Sequence, residues 1–152
     1  MDKIRIVIQH EDFAVADELS WLRTHTAGIG AMVSFVGLVR DHCAAGAVDS
    51  LWLEHCPGMT ERSIRSFVEE AATRWSLSGV SVIHRIGQLL PDEQIVLVLV
   101  ATPHRADAFQ ACSFLMDALK TRALFWKKEW SAGKGCWLEF SETDQQAADR
   151  WS

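Results

Sequence analysis

The run Gln94-Ile95-Val96-Leu97-Val98-Leu99-Val100-Ala101-Thr102 constrains the fold more than any other segment of the chain. Every position from 95 to 101 is aliphatic, and Pro91-Asp92 and Pro103 punctuate the two sides. The run is far shorter than the roughly 20 residues needed to span a bilayer. It therefore reads as the central strand of a sheet. Residues 105–120 follow at once, with Phe109, Cys112, Met116 and Leu119 at the spacing of a helical core face. Strand, two-residue link and helix form a unit around which the remaining chain has to pack.

The other elements mix types without a strict alternation. Residues 4–9 are β-branched and strand-like, and Asp12 is placed to cap a helix over 14–23. Gly28-Ile29-Gly30 marks a turn before a strand over 31–39, and 41–46 reads as a polar loop. A strand over 48–55 is broken by Pro57-Gly58, and Thr60 starts a helix carrying Ile64, Phe67, Val68 and Ala71 on one face. Residues 80–86 form a further strand, with 87–93 as a connection. Residues 125–130 and 136–140 read as a hairpin around Ala132-Gly133-Lys134-Gly135, and a weakly helical tail begins at Thr143. This pattern predicts an α+β fold with a mainly antiparallel sheet, organised as one domain over residues 1–152.

Composition narrows the function classes. A net charge of −5 argues against general nucleic-acid binding, which needs a basic face to neutralise phosphates. It leaves room for a local basic pocket. The charged opening Met1-Asp2-Lys3-Ile4-Arg5 is unlike a signal peptide, and the four cysteines show no CxxC pair, so reduced thiols in the cytoplasm are expected. Seven tryptophans accompany no tyrosine. Core filling accounts for most of them, while Trp52, Trp130 and Trp137 are candidates for a partner surface.

The chemistry-bearing residues are cations at element ends. In Leu119-Lys120-Thr121-Arg122-Ala123-Leu124-Phe125-Trp126-Lys127-Lys128-Glu129, four cations stand among aromatics and follow an apolar helical face. Pro103-His104-Arg105 closes the central strand and opens the helix leading to Lys120. Arg40 ends Phe35-Val36-Gly37-Leu38-Val39-Arg40. The three clusters together suggest one anion pocket. Backbone N–H groups at the His104-Arg105 helix start favour an anion, although a solvated capping segment has the same pattern. Arg40 offers a bidentate guanidinium. A lysine held among aromatics and other cations titrates low and can carry a proton or act as a nucleophile; if charged, it stabilises an oxyanion or thiolate. Strand alternation puts Phe125, Lys127 and Glu129 on one face, and Trp126, Lys128 and Trp130 on the other.

The ordered set of segments resembles the large, catalytic subunit of molybdopterin synthase. It comprises Phe35-Val36-Gly37-Leu38-Val39-Arg40-Asp41-His42, Leu53-Glu54-His55-Cys56-Pro57-Gly58-Met59-Thr60-Glu61 and Val82-Ile83-His84-Arg85-Ile86-Gly87. It continues through Pro103-His104-Arg105, Met116-Asp117-Ala118-Leu119-Lys120-Thr121-Arg122-Ala123, Phe125-Trp126-Lys127-Lys128-Glu129 and Ser141-Glu142-Thr143-Asp144-Gln145-Gln146. The resemblance implies an α/β hammerhead fold with a small additional β subdomain. It implies a sulfur transferase that converts cyclic pyranopterin monophosphate to molybdopterin by forming the dithiolene. The sulfur donor would be a small ubiquitin-like partner with a thiocarboxylated C-terminal Gly-Gly, and the assembly a homodimer within a heterotetramer. It assigns catalysis to Lys120 and Lys127, and substrate binding to Leu38, Val39, Arg40, His104, Arg105, Lys120, Lys127, Lys128 and Glu129. No cofactor and no metal is implied. Two positions depart from the family pattern: Leu38, where Lys is common, and Leu124, where Pro is common. They support a rival reading, a non-catalytic anion-binding scaffold that keeps the partner surface.

His42-Cys43 and His55-Cys56 do not make a zinc site, because adjacent strand residues face opposite ways and the short-range pairing of such sites is missing. Cys43 is a candidate persulfide carrier in a third reading, a self-contained sulfurtransferase.

Overall fold

The computed structural model describes residues 3–43, 46–138 and 142–152; the side chains of Cys43, Cys136, Trp137 and Leu138 lie outside the described set. The elements run β1 (Lys3–Gln9), α1 (Val15–His25), β2 (Ala31–Leu38), β3 (His42–Cys43), β4 (Gly46–Ala47), β5 (Ser50–His55) and α2 (Met59–Arg74). They continue β6 (Gly79–Arg85), β7 (Gly87–Leu89), β8 (Gln94–Thr102), α3 (Arg105–Thr121), β9 (Phe125–Ser131), β10 (Lys134–Leu138) and α4 (Glu142–Asp149).

The aliphatic run is β8, and it sits inside a four-stranded sheet of order β1-β6-β8-β2. Its two neighbours are antiparallel to it, and only the β1–β6 pair is parallel. Alternate residues sort to opposite faces. Val96, Val98 and Val100 join Ile64, Phe67 and Val68 of α2 and Ala111, Phe114 and Leu115 of α3. Leu97, Leu99 and Ala101 meet Phe13 and Leu22 on the α1 side. A strand covered on both faces has to be apolar at every position, which is why this run shows no alternation.

A second sheet, order β10-β9-β5-β7, forms the smaller β unit. The expected hairpin is β9–β10, turning through Ala132 and Gly133, both with positive φ (51° and 77°). That geometry is the primed two-residue turn that suits strand twist.

Several local expectations need correction. Asp12 does not cap α1: the N-cap is Ala14, and the Asp12 carboxylate accepts from the Phe13 N–H and the Gln94 amide instead. Helix α2 starts at Met59 behind Gly58 (φ 82°), whose N–H donates to the Glu61 carboxylate at 3.1 Å. The connection over 87–93 contains β7, which pairs with β5, and the loop over 41–46 contains the short β3–β4 pair. Short strands of two or three residues carry no usable periodicity.

Candidate active site

The helix that follows β8 ends where the two sheets meet. There a cavity of about 280 Å³ opens between the end of β2, the C-terminal turn of α3, and the start of β9. Phe35, Gly37, Ile95, Met116, Leu119 and Phe125 form its apolar wall, and Arg40, His84, Lys120 and Lys127 are its polar members. Gly37 lies on the wall, where a side chain would stand 2.7 Å from Val96 Cγ1 and so could not fit without displacement.

The turn joining the two lysines is fixed from α2. Thr60 Oγ1 donates to the Leu124 carbonyl at 2.7 Å, and Ser63 Oγ donates to the Arg122 carbonyl at 2.9 Å. An ion pair from Arg122 to Glu70 at 2.6 Å adds a third tie. The chain therefore doubles back after Lys120 and brings Lys127 beside it without needing proline at position 124.

Lys127 points from β9 to the inner face of its sheet, opposite Leu53, with Glu129 opposite Leu51 on the same face. Burial there, then the nearby charge of Lys120 and a hydrogen bond to it, pull Lys127 down from 10.5 to about 8, while Asp144 acts the other way. Two ammonium groups side by side repel, which favours loss of a proton from the more buried Lys127. Lys128 faces outward as alternation requires, its ammonium 4.7 Å from the Trp130 ring centroid.

His84 was not singled out by the sequence reading. It is 6% exposed, lies on β6 opposite Val96, and stacks on Phe125 with ring centroids 3.9 Å apart. Its Nδ1 is 2.8 Å from the Arg85 carbonyl, which fixes Nδ1 as the donor and leaves Nε2 as an acceptor. Burial, with the charges of Lys127, Lys120 and His55, pushes its pKa down to about 3, so it is neutral. The available signal was a histidine following the apolar pair Val82-Ile83 in a fully buried strand.

The expected single pocket is only partly assembled within one chain. Leu38, Arg40, Lys120 and Lys127 line the cavity. His104 and Arg105 do not: His104 caps the far end of α3, and Lys120 lies 15 positions along the helix from Arg105, roughly 22 Å of rise. Both are exposed. Val39 is 4% exposed in the third core cluster, its N–H donating to Glu93 and its carbonyl accepting from Asp92. Neither Lys128 nor Glu129 reaches the cavity wall. A second cavity, of about 230 Å³, lies beneath α4, but its Arg74 and Arg122 are already paired with Glu70.

The MoaE protein family model matches residues 8–122. The chain is 48% identical over 151 residues to the molybdopterin synthase catalytic subunit of Escherichia coli, covering 99% of this chain and 100% of that one. This chain belongs to the MoaE family of molybdopterin synthase catalytic subunits. A second relative bearing the same name, from Mesorhizobium japonicum, is 52% identical over 146 residues, covering 95% of this chain and 91% of that one. The solved MoaE protein of Burkholderia ambifaria superposes with a TM-score of 0.83 at 44% identity, covering 99% of this chain and 98% of that one. The likeness extends over nearly the whole chain, and no helix among the described residues is long and apolar enough to cross a membrane.

Proposed function

We propose that this chain builds the dithiolene of molybdopterin by transferring sulfur onto a cyclic pyranopterin monophosphate. The observation that carries the proposal is the convergence of Arg40, Lys120 and Lys127 on one cavity whose remaining wall is mostly apolar. Arg40 and Lys120 are exposed at its rim and Lys127 is partly buried, so three like charges converge on one pocket and draw in an anion, with Lys127 the least screened of them.

The sulfur arrives on a small ubiquitin-like carrier whose C-terminal Gly-Gly ends in a thiocarboxylate. Arg40 holds the substrate phosphate through its planar fork. Lys120 and Lys127 position the thiocarboxylate and stabilise the oxyanion that forms when the carrier is released. The depressed pKa of Lys127 lets it exchange a proton near neutral pH. His104 and Arg105, too far along α3 to reach these groups, supply their contacts from the second copy of a homodimer. Residues 1–152 act as one functional unit, in the cytoplasm, with one carrier bound per copy. The turn held by Thr60 and Ser63 removes one support for a non-catalytic scaffold, since Leu124 does not leave the lysines unplaced.

Reconstitution tests the proposal. The chain, a thiocarboxylated carrier and the pterin phosphate should yield molybdopterin, and no product should form when the carrier ends in an ordinary carboxylate. Mixing inactive Lys120→Ala chains with inactive Arg105→Ala chains should restore part of the activity, because mixed dimers contain one intact site. Failure of the mixture to recover activity, with subunit exchange demonstrated, would remove the shared-site part.

A further inference from the structure

The polar lining of the cavity is lopsided in a chemically informative way. As cations, Arg40, Lys120 and Lys127 can only donate hydrogen bonds. Phe35, Leu38, Ile95, Val96, Leu119 and Phe125 supply none, and the Met116 thioether is a weak acceptor. His84 is different. Its Nδ1 is committed to the Arg85 carbonyl at 2.8 Å, its ring is clamped on Phe125, and Nε2 has no protein partner among the described residues. The side chain is more than nine-tenths buried and lines the cavity.

Nε2 is not among the buried atoms that lack a partner, so it opens to the cavity, and a ligand that excludes solvent there has to supply a donor to it. Protonation does not supply one, since burial, then the charges of Lys127 and Lys120, oppose a positive charge on the ring. The charged groups that bear on this site are Lys120 on α3, Lys127 on β9, His55 on β5 and Arg40 after β2, with Asp144 of α4 acting on Lys127. None of these groups makes a hydrogen bond to Nε2 among the described residues. The missing donor therefore comes with the ligand.

We propose that His84 Nε2 is the acceptor of this cavity and reads an N–H or O–H donor lying beside the anionic group of the bound ligand. The inference rests on the anion-pocket reading above. Two sources carry that chemistry: the last backbone amide of the carrier tail, next to its terminal carboxylate or thiocarboxylate, and a ring N–H of the pterin phosphate. Donors and acceptor together would reject a simple phosphate or acetate in favour of a ligand bearing both groups.

The test uses the full-length chain with 15N-labelled histidine. Spectra of the free protein should show His84 as the neutral tautomer protonated at Nδ1. The carboxylate form of the carrier and the pterin phosphate are then added separately. The ligand that donates should move the Nε2 resonance, identifying the source, while inorganic phosphate should not. The same ligand should bind about tenfold more weakly to His84→Phe, which keeps the stack but loses the acceptor. His84→Gln, which restores an acceptor near Nε2, should recover most of the affinity. If His84→Phe does not fold, the spectra of the unsubstituted chain and the Gln variant still decide. An Nε2-protonated tautomer in the free protein overturns the proposal. So does an Nε2 resonance that neither ligand moves while Arg40→Ala still weakens the pterin phosphate, and in that case the anion pocket stands. If Arg40→Ala leaves the affinity for the pterin phosphate unchanged, the pocket reading falls and takes the proposal with it.

Discussion

Thr60 of α2 and Leu124, which are 64 residues apart in sequence, are joined by a 2.7 Å hydrogen bond from hydroxyl to carbonyl. The same hydroxyl accepts from the Cys56 N–H at 2.9 Å, so Thr60 is satisfied in both directions and fully buried. The bond fixes the turn that sets Lys127 beside Lys120. Thr60→Val keeps the shape and removes the hydroxyl. It should cost about 1–3 kcal/mol, since a carbonyl and an N–H lose a buried partner, and it should lower kcat more than it raises KM. Denaturant unfolding and steady-state kinetics on the same variant check both effects.

Lys120→Ala and Lys127→Ala should each reduce turnover on the order of a hundredfold to a thousandfold, the usual cost of one preorganised oxyanion donor, while the fold and carrier binding persist. Lys128→Ala is the control. Its side chain leaves the other face of β9 and sits over Trp130, so most activity should remain. Equal damage from Lys128→Ala and Lys127→Ala would contradict this division of roles.

The acidity of Lys127 makes a prediction about stability. Its pKa falls from 10.5 to about 8 on folding, so the unfolded chain binds more protons between those values. Stability therefore rises with pH across that window, and the penalty is complete below about pH 8. Lys127→Met should be more stable than the unsubstituted chain at pH 7, with a ceiling of about 3 kcal/mol at 1.36 kcal/mol per pKa unit that solvent screening lowers. The difference should vanish near pH 10.5. Chemical denaturation at pH 7 and pH 10 measures it, and an unchanged gap would reject the cause given.

Activity should respond to the same group with the opposite sign. If turnover needs the Lys127 cation, kcat/KM falls as pH passes about 8. Lys127→Arg should lose that limb, because its guanidinium stays charged, while recovering only part of the rate, because its fork occupies different space. A pH–rate profile of both proteins is the measurement.

Arg40→Ala should weaken binding of the pterin phosphate by about 1.5–3 kcal/mol, the scale of a charge-assisted hydrogen bond, and reduce the salt sensitivity of binding. Arg105→Ala should do the same only when it is present in the copy facing the site. Cys43→Ser should leave product formation nearly intact under the proposal that sulfur comes on the carrier. A loss of a hundredfold or more with an intact fold would instead favour a persulfide on Cys43. Titration with the substrate and product assays separate these cases.

Much of this protein is decided locally and could be read before any coordinates. The aliphatic run over 94–102 had to be a central strand, residues 105–120 carry their own helical face, and the alternation in β9 placed Lys127 and Lys128 on opposite sides. Those features depend on the repeat of a strand or a helix, which sequence records directly. Other features depend on which distant surfaces meet. Asp12 had the chemistry of a helix cap, but Gln94, 82 residues away, took its carboxylate. The His104-Arg105 and Lys120 clusters looked like one pocket because they belong to one helix, yet the rise of that helix separates them within a chain. His84 shows the converse. Nothing beside it in β6 marks it, and its surroundings are set by Phe125, Lys120 and Lys127, two of which lie on the strand that follows the turn α2 holds at Leu124. Sequence fixed the kinds of groups available; burial and the meeting of the two sheets decided which of them share a cavity, and with what charge.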